Sequence, residues 1–159
     1  MKNNNWSKTI LYVYKYLERI CDGIDKLVEK EAMNSFYYSS NKTNDVMKTA
    51  NKIIELTERK KRLINLKVLT EKSLSSIDKT LAQILVGKYV NECLCEDIAQ
   101  RFSMPMRTFF RKLSLAEEGF SKALARQGYD EEKMMNYLKG ENWIFDVYEN
   151  FSQDERTLA

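Results

Sequence analysis

Apolar residues recur at steps of three and four along most of the chain. The pattern is clearest over residues 6–31, where the apolar positions are Ile10, Tyr14, Leu17, Ile20, Ile24, Leu27 and Val28. This spacing places them on one face of a helix. A segment rich in Ser, Asn and Tyr at 34–44 predicts a loop, and a second amphipathic stretch follows at 45–72. The two stretches predict a helical hairpin or a coiled-coil seam.

Further helices are expected in the second half of the chain. The predicted ranges are 76–91, 95–102, 105–126 and 130–138, after which comes an aromatic-rich segment. Only five glycines and one proline interrupt the 159 residues, and this composition favours helix over sheet. We therefore predict an all-α fold in which a helical hairpin precedes a compact helical bundle and a short helical tail.

Charge is distributed unevenly along the chain. Residues 1–126 hold 23 basic and 15 acidic side chains, net +8, whereas residues 127–159 hold 3 and 8, net −5. A basic body suits a polyanion such as DNA, although a solvated helical surface also collects lysine. We divide the chain into an N-terminal hairpin with a candidate dimerisation role (1–73), a helix-turn-helix domain (74–126) and an acidic, aromatic-rich extension (127–159).

Composition also argues against several classes of protein. No apolar run approaches the roughly 20 residues that span a bilayer, and the N-terminus lacks a signal-peptide pattern, so we expect a cytoplasmic protein without membrane contact. Three cysteines without repeating spacing and the lack of histidine argue against zinc and against Ser-His or Cys-His nucleophiles. We expect no enzymatic activity, no metal and no cofactor.

Residues 95–113 have the organisation of a helix-turn-helix. Two apolar residues four apart anchor the first helix, Ser103 and Met104 form the turn, and Pro105 opens the second helix, where its missing N–H needs no intrahelical partner. The second helix has an apolar face at steps of four, three and four, which we expect to be buried: Phe109, Leu113, Ala116 and Phe120.

The opposite face of this second helix holds the candidate DNA-reading residues. Side chains that point directly away from the apolar face are assigned to base edges: Arg107, Arg111 and Ser114. Side chains placed for flanking phosphates are Arg101, Thr108 and Lys112. Phe110, at the edge of the face, either touches a thymine methyl or simply packs. The alternative is an ordinary helical hairpin with exposed arginines, but a supporting helix upstream favours DNA binding.

The run LAQILVGKYVNECLCEDIAQRFSMPMRTFFRKLSLAEEGFSKAL resembles region 4 of sigma-70 factors. A supporting helix, a Glu-Ile-Ala-like motif at Asp97-Ile98-Ala99 and a Ser-x-x-Thr-Val-like recognition helix follow one another in both. The run is closer still to the region-4-like regulators of phages and mobile elements in Gram-positive bacteria, such as the ArpU and RinA types. The resemblance covers about residues 44–125.

This resemblance implies transcriptional control through promoter DNA, with RNA polymerase as a candidate second partner. Two positions depart from the family pattern: Pro105 replaces the usual capping Ser or Thr, and Ser103 replaces the common turn glycine. No separate region for melting a promoter is evident, which favours an accessory regulator over a stand-alone sigma factor.

A second hypothesis is a protein-interaction module, or a compact sigma-like factor, that docks on RNA polymerase through the helix-turn-helix and the acidic tail. In that case Trp143, Phe145 and Tyr148 grip the partner, or the tail folds back and masks the basic head. The simpler interpretation, which we favour, is that these rings complete the domain's own core.

Overall fold

The computed structural model describes residues 4–37 and 43–158, and these residues form helices and no strand. The helices are α1 (Asn5–Tyr37), α2 (Thr43–Ser75), α3 (Lys79–Leu85), a π-helical turn (Val86–Val90), α4 (Cys95–Arg101), α5 (Met106–Arg126), α6 (Glu131–Tyr137) and α7 (Asn142–Leu158). The prediction of an all-α protein is confirmed. Among the described helices, none is long and apolar enough to cross a lipid bilayer.

Three predicted boundaries need correction. The first helix does not end near residue 31 but continues to Tyr37, so helix covers part of the loop predicted at 34–44, and residues 38–42 of that loop lie outside the described residues. Pro105 precedes α5 instead of opening it: its ψ of 152° is extended, while its carbonyl accepts the first helical bond from Phe109 N at 2.9 Å. The aromatic-rich segment after α6 is itself a helix, α7.

Tertiary packing divides the chain into two compact units. The head unit contains the residues up to Lys15 together with those from Val68 onward, and the hairpin unit contains residues Tyr16–Lys67. The first turns of α1 and the last helix therefore belong to the same unit as α3, α4 and α5.

In the hairpin unit, the segments of α1 and α2 run antiparallel. Lys52 Nζ lies 2.9 Å from Glu31 Oε1, and Lys60 Nζ lies 2.5 Å from Asp25 Oδ1. The lysine farther along α2 therefore pairs with the acidic residue that comes earlier in α1, as in an antiparallel hairpin. The buried apolar side chains of this unit are Leu17, Cys21, Ile24, Leu63 and Leu66. Burial raises the pKa of the Cys21 thiol above its ordinary value.

In the head unit, aromatic rings from the two ends of the chain pack together. Trp6 on α1 stacks on Tyr148 of α7 with ring centroids 4.5 Å apart, and it meets Phe145 edge-to-face at 5.5 Å. Tyr12 meets Phe151 edge-to-face at 6.2 Å. The structure thus places Phe145 and Tyr148 in the packing of the head unit, as the favoured interpretation predicted for these two rings. Trp143, the third ring of that prediction, is half-buried, and its Nε1 donates to Glu141 Oε2 at 2.8 Å.

Candidate nucleic-acid interface

The turn between α4 and α5 is a Schellman motif. Met104 N donates to the Ala99 carbonyl and Ser103 N donates to the Gln100 carbonyl, both at 3.0 Å. These two hydrogen bonds define the motif, and they require the residue that follows the C-cap of the helix to adopt the left-handed backbone conformation. Ser103 occupies that position with φ +52°. Serine at the place of the common glycine therefore leaves a regular turn.

A second Schellman motif ends α5 and shows the more usual residue. Gly128 N donates to Ala125 O at 2.9 Å and Tyr129 N donates to Leu124 O at 3.0 Å, while Gly128 has φ +87°. The same backbone motif is thus formed once by serine and once by glycine in the same unit. Gly128 therefore serves as an internal reference for the conformational cost of the left-handed φ at Ser103.

A close approach between α4 and the π-helical turn depends on Gly87. A Cβ atom at this position would lie 3.2 Å from Ile98 Cδ1, closer than most real contacts. Gly87 was not among the predicted site residues, although an isolated glycine within a predicted helix is a signal for close packing.

Tyr89, on the same π-helical turn, is buried, and its hydroxyl donates a hydrogen bond to the Glu117 carboxylate on α5. This bond ties the π-helical turn to the back of α5, while the packing at Gly87 ties the same turn to α4.

The predicted apolar face of α5 is buried. Its four members are at most 5% exposed: Phe109, Leu113, Ala116 and Phe120. They pack within the head unit, where α3 contacts α5 and contributes the buried Ile84 and Leu85. This part of the prediction is confirmed, and it fixes which side of α5 faces outward.

The outward side of α5 begins with basic residues. Arg107, Arg111 and Ser114 are all exposed. Within the part of the chain that the structure describes, no hydrogen bond or ion pair reaches the guanidinium group of Arg107 or Arg111. Farther along the helix, Glu118 pairs with Lys122 at 3.0 Å. The first half of the outward side is therefore positively charged, and the second half contains an internal ion pair.

The residues predicted to contact phosphate have different exposures. Arg101 at the end of α4 is exposed, whereas Thr108 and Lys112 are half-buried at the flank of α5. Pro105 offers no side-chain acceptor to the first amide groups of α5, so these N–H donors and the positive end of the helix dipole remain available to an anion.

Arg101 also lines a surface groove of about 510 Å³ that reaches back to α3. Lys79, at the start of α3, lines the same groove, as do the polar residues Gln83 and Asn91. Lys79 was not among the predicted site residues, because nothing in the local pattern around it places it beside Arg101. The groove brings a second cation to the surface that Arg101 occupies.

Phe110 lies at the edge of the basic surface and is 50% exposed. Its ring meets the buried ring of Phe109 edge-to-face, with centroids 5.4 Å apart and an interplanar angle of 69°. Packing against Phe109 therefore accounts for only part of the Phe110 ring, and the rest faces solvent.

Comparison with protein-family models, with curated proteins and with solved structures finds no match to this chain. The resemblance to sigma-70 region 4 accordingly rests on the motif residues between positions 81 and 124 alone.

Proposed function

We propose that this protein is a sequence-specific transcription regulator that binds double-stranded DNA and reads the major groove with residues 105–115. One observation carries the proposal: Arg107 and Arg111 lie one helical turn apart on the exposed side of a helix whose other side is buried. An arginine in this setting can form two hydrogen bonds with the O6 and N7 atoms of guanine.

The spacing of the two arginines suits stacked bases. Four residues of helix rise about 6 Å. Successive bases on a strand are about 3.4 Å apart, so the arginines reach positions about two bases apart when α5 lies along the groove. Arg101, Thr108 and Lys112 would contact flanking phosphates and fix the orientation of α5, because phosphate contacts position a protein without reading sequence.

The proposal extends to the partners expected from sequence. We place the regulator in the cytoplasm, with RNA polymerase as a candidate second partner in a phage or mobile-element setting. Docking through the rings of the tail has less support, since Phe145 and Tyr148 pack against Trp6. A homodimer through the hairpin unit is supported by exposed apolar residues on α2, namely Met47, Ile54 and Ile64. A dimer would present two reading helices to two half-sites.

The test begins with a selection of duplexes from a randomised 20-base-pair library, followed by anisotropy measurements on the selected duplex and a scrambled one. Arg107→Ala and Arg111→Ala should each weaken binding to the selected duplex by about five- to 150-fold, the loss expected for one bidentate base contact. The helical circular dichroism should not change, because both side chains are exposed.

Arg126→Ala is the matched control, since Arg126 is an exposed arginine in the last turn of the same helix. Its affinity should stay within about twofold of the wild type, because it removes one charge away from the reading surface. Wild-type affinity in both Arg107→Ala and Arg111→Ala, or a library that yields no enriched sequence, would overturn the proposal.

A further inference from the structure

We propose that Phe110 is a specificity-determining residue that contacts the C5 methyl group of a thymine beside the bases read by Arg107 and Arg111. This inference rests on the proposed function and adds the kind of base pair that one position of the target must contain. It also explains why a large apolar ring stands half-exposed on a basic surface.

The exposure of Phe110 has meaning only in its surroundings, because single exposed apolar side chains are common on proteins. At about 100° per residue, Phe110, Ser114, Arg107 and Arg111 lie within an arc of about 100° around α5. Phe110 is thus part of the same surface as the two arginines. A surface that attracts a polyanion with its cations also presents one apolar group to it.

One side of the Phe110 ring packs against a buried ring. Phe109 is fully buried, and Phe110 meets it edge-to-face at 5.4 Å, a preferred arrangement for two aromatic rings. A side chain restrained in this way loses less conformational entropy on binding than a mobile one. The exposed part of the ring is therefore suited to a small, fixed apolar contact.

The major groove offers such a contact at one kind of base pair. Each base pair presents hydrogen-bond donors and acceptors there, and thymine adds the C5 methyl group, with which phenylalanine can make an apolar contact. Phe110 precedes Arg111 and follows Arg107 by three residues, about 4.5 Å of helix rise, so its ring would reach a base close to those contacted by the arginines. The chemistry and the placement together point to thymine.

The test uses the duplex selected from the randomised library. Each thymine in turn is replaced by deoxyuridine, which removes only the methyl group. One position should lower the affinity of the wild-type protein about fourfold, equivalent to about 0.8 kcal/mol for one buried methyl group. Phe110→Ala should bind the thymine and deoxyuridine duplexes equally at that position, whereas Phe110→Leu should keep part of the discrimination.

Met135→Ala is the control, because Met135 is an exposed apolar residue on α6 and should keep the full fourfold discrimination. If the selected duplex binds with the expected dependence on Arg107 and Arg111 but no thymine position responds to deoxyuridine, this inference fails while the proposed function stands. If Phe110→Ala discriminates as the wild type does, another residue reads the methyl group and the inference is wrong. If no duplex is selected, both proposals fall together.

Discussion

Replacing Ser103 with glycine should stabilise the head unit. Ser103 has φ +52° in the turn that ends α4. A non-glycine residue in the left-handed region costs about 1–2 kcal/mol because its Cβ approaches the following carbonyl oxygen. Glycine removes that cost, but its greater conformational entropy stabilises the unfolded chain by about 0.5–1 kcal/mol. The expected net gain for Ser103→Gly is about 0.5–1 kcal/mol, or about 2–4 °C in Tm.

Intrinsic tryptophan fluorescence measures the thermal unfolding of the head unit. The chain has two tryptophans, Trp6 and Trp143, and both lie in the head unit. Thermal melts followed at the tryptophan emission therefore report the unit that contains the Ser103 turn. Because glycine allows the same two backbone hydrogen bonds, Ser103→Gly should also retain wild-type affinity for the selected duplex.

Two controls separate backbone strain from other effects. Ser103→Ala keeps the Cβ atom and removes only the hydroxyl, so its Tm should stay within about 1 °C of the wild type. Gly128→Ser makes the reverse change in the second Schellman motif, where a new Cβ would meet only Lys133 Nζ at 3.8 Å, and it should lower Tm. A Ser103→Gly protein that melts no higher than Ser103→Ala would refute the reasoning from left-handed strain.

Two further substitutions test the packing of the head unit. Gly87→Ala should lower the free energy of unfolding by about 0.5–2 kcal/mol in urea denaturation. The new Cβ would lie 3.2 Å from Ile98 Cδ1, and crowding the fully buried Ile98 costs about 1–3 kcal/mol, less the roughly 0.5–1 kcal/mol that alanine gains over glycine within a helix. Adding Ile98→Val should recover part of that loss, and an unchanged midpoint for Gly87→Ala alone would contradict the close approach. Trp6→Ala should destabilise the head unit by about 3–5 kcal/mol, since it removes the ring that stacks on Tyr148 and meets Phe145. A loss below about 1 kcal/mol in the same assay would show that these rings do not contribute to the core.

Local periodicity predicted the parts of the structure that depend on one helix at a time. The buried and exposed sides of α5 follow from spacing alone, because a helix returns to the same face every three or four residues. The identity of α7 as a helix was missed. Its ring contacts with Trp6 join residues about 140 positions apart, and no local pattern records such a contact.

Other features depend on backbone conformations that the residue types in the sequence do not predict. The turn was predicted at Ser103 and Met104, but serine gives no sign of a left-handed φ, which glycine would have suggested. The π-helical turn was not predicted either, since it changes the hydrogen-bond step and leaves the amphipathic pattern in place. Gly87 was the one available signal in that segment.

Exposure alone does not distinguish the roles of the arginines on α5. An arginine on a solvated helix and an arginine that reads guanine have the same sequence pattern and the same exposure. What separates them is the rest of the surface. Arg107 and Arg111 have no partner among the described residues, while Glu118 farther along α5 pairs with Lys122. Arg126, at the far end of α5, is also exposed and has no partner among the described residues, so the reading surface is set apart by its two arginines one turn apart with the exposed Phe110 beside them.

The division of α5 into two sides also determines how mutations there should be interpreted. Phe109 and Phe120 are buried against the rest of the head unit, and Tyr89 bonds to Glu117 from behind. Changes at these positions alter stability and, through it, every activity of the head unit. Changes at Arg107, Arg111 or Phe110 remove exposed side chains, so an effect on binding with unchanged stability can be assigned to contact with the partner.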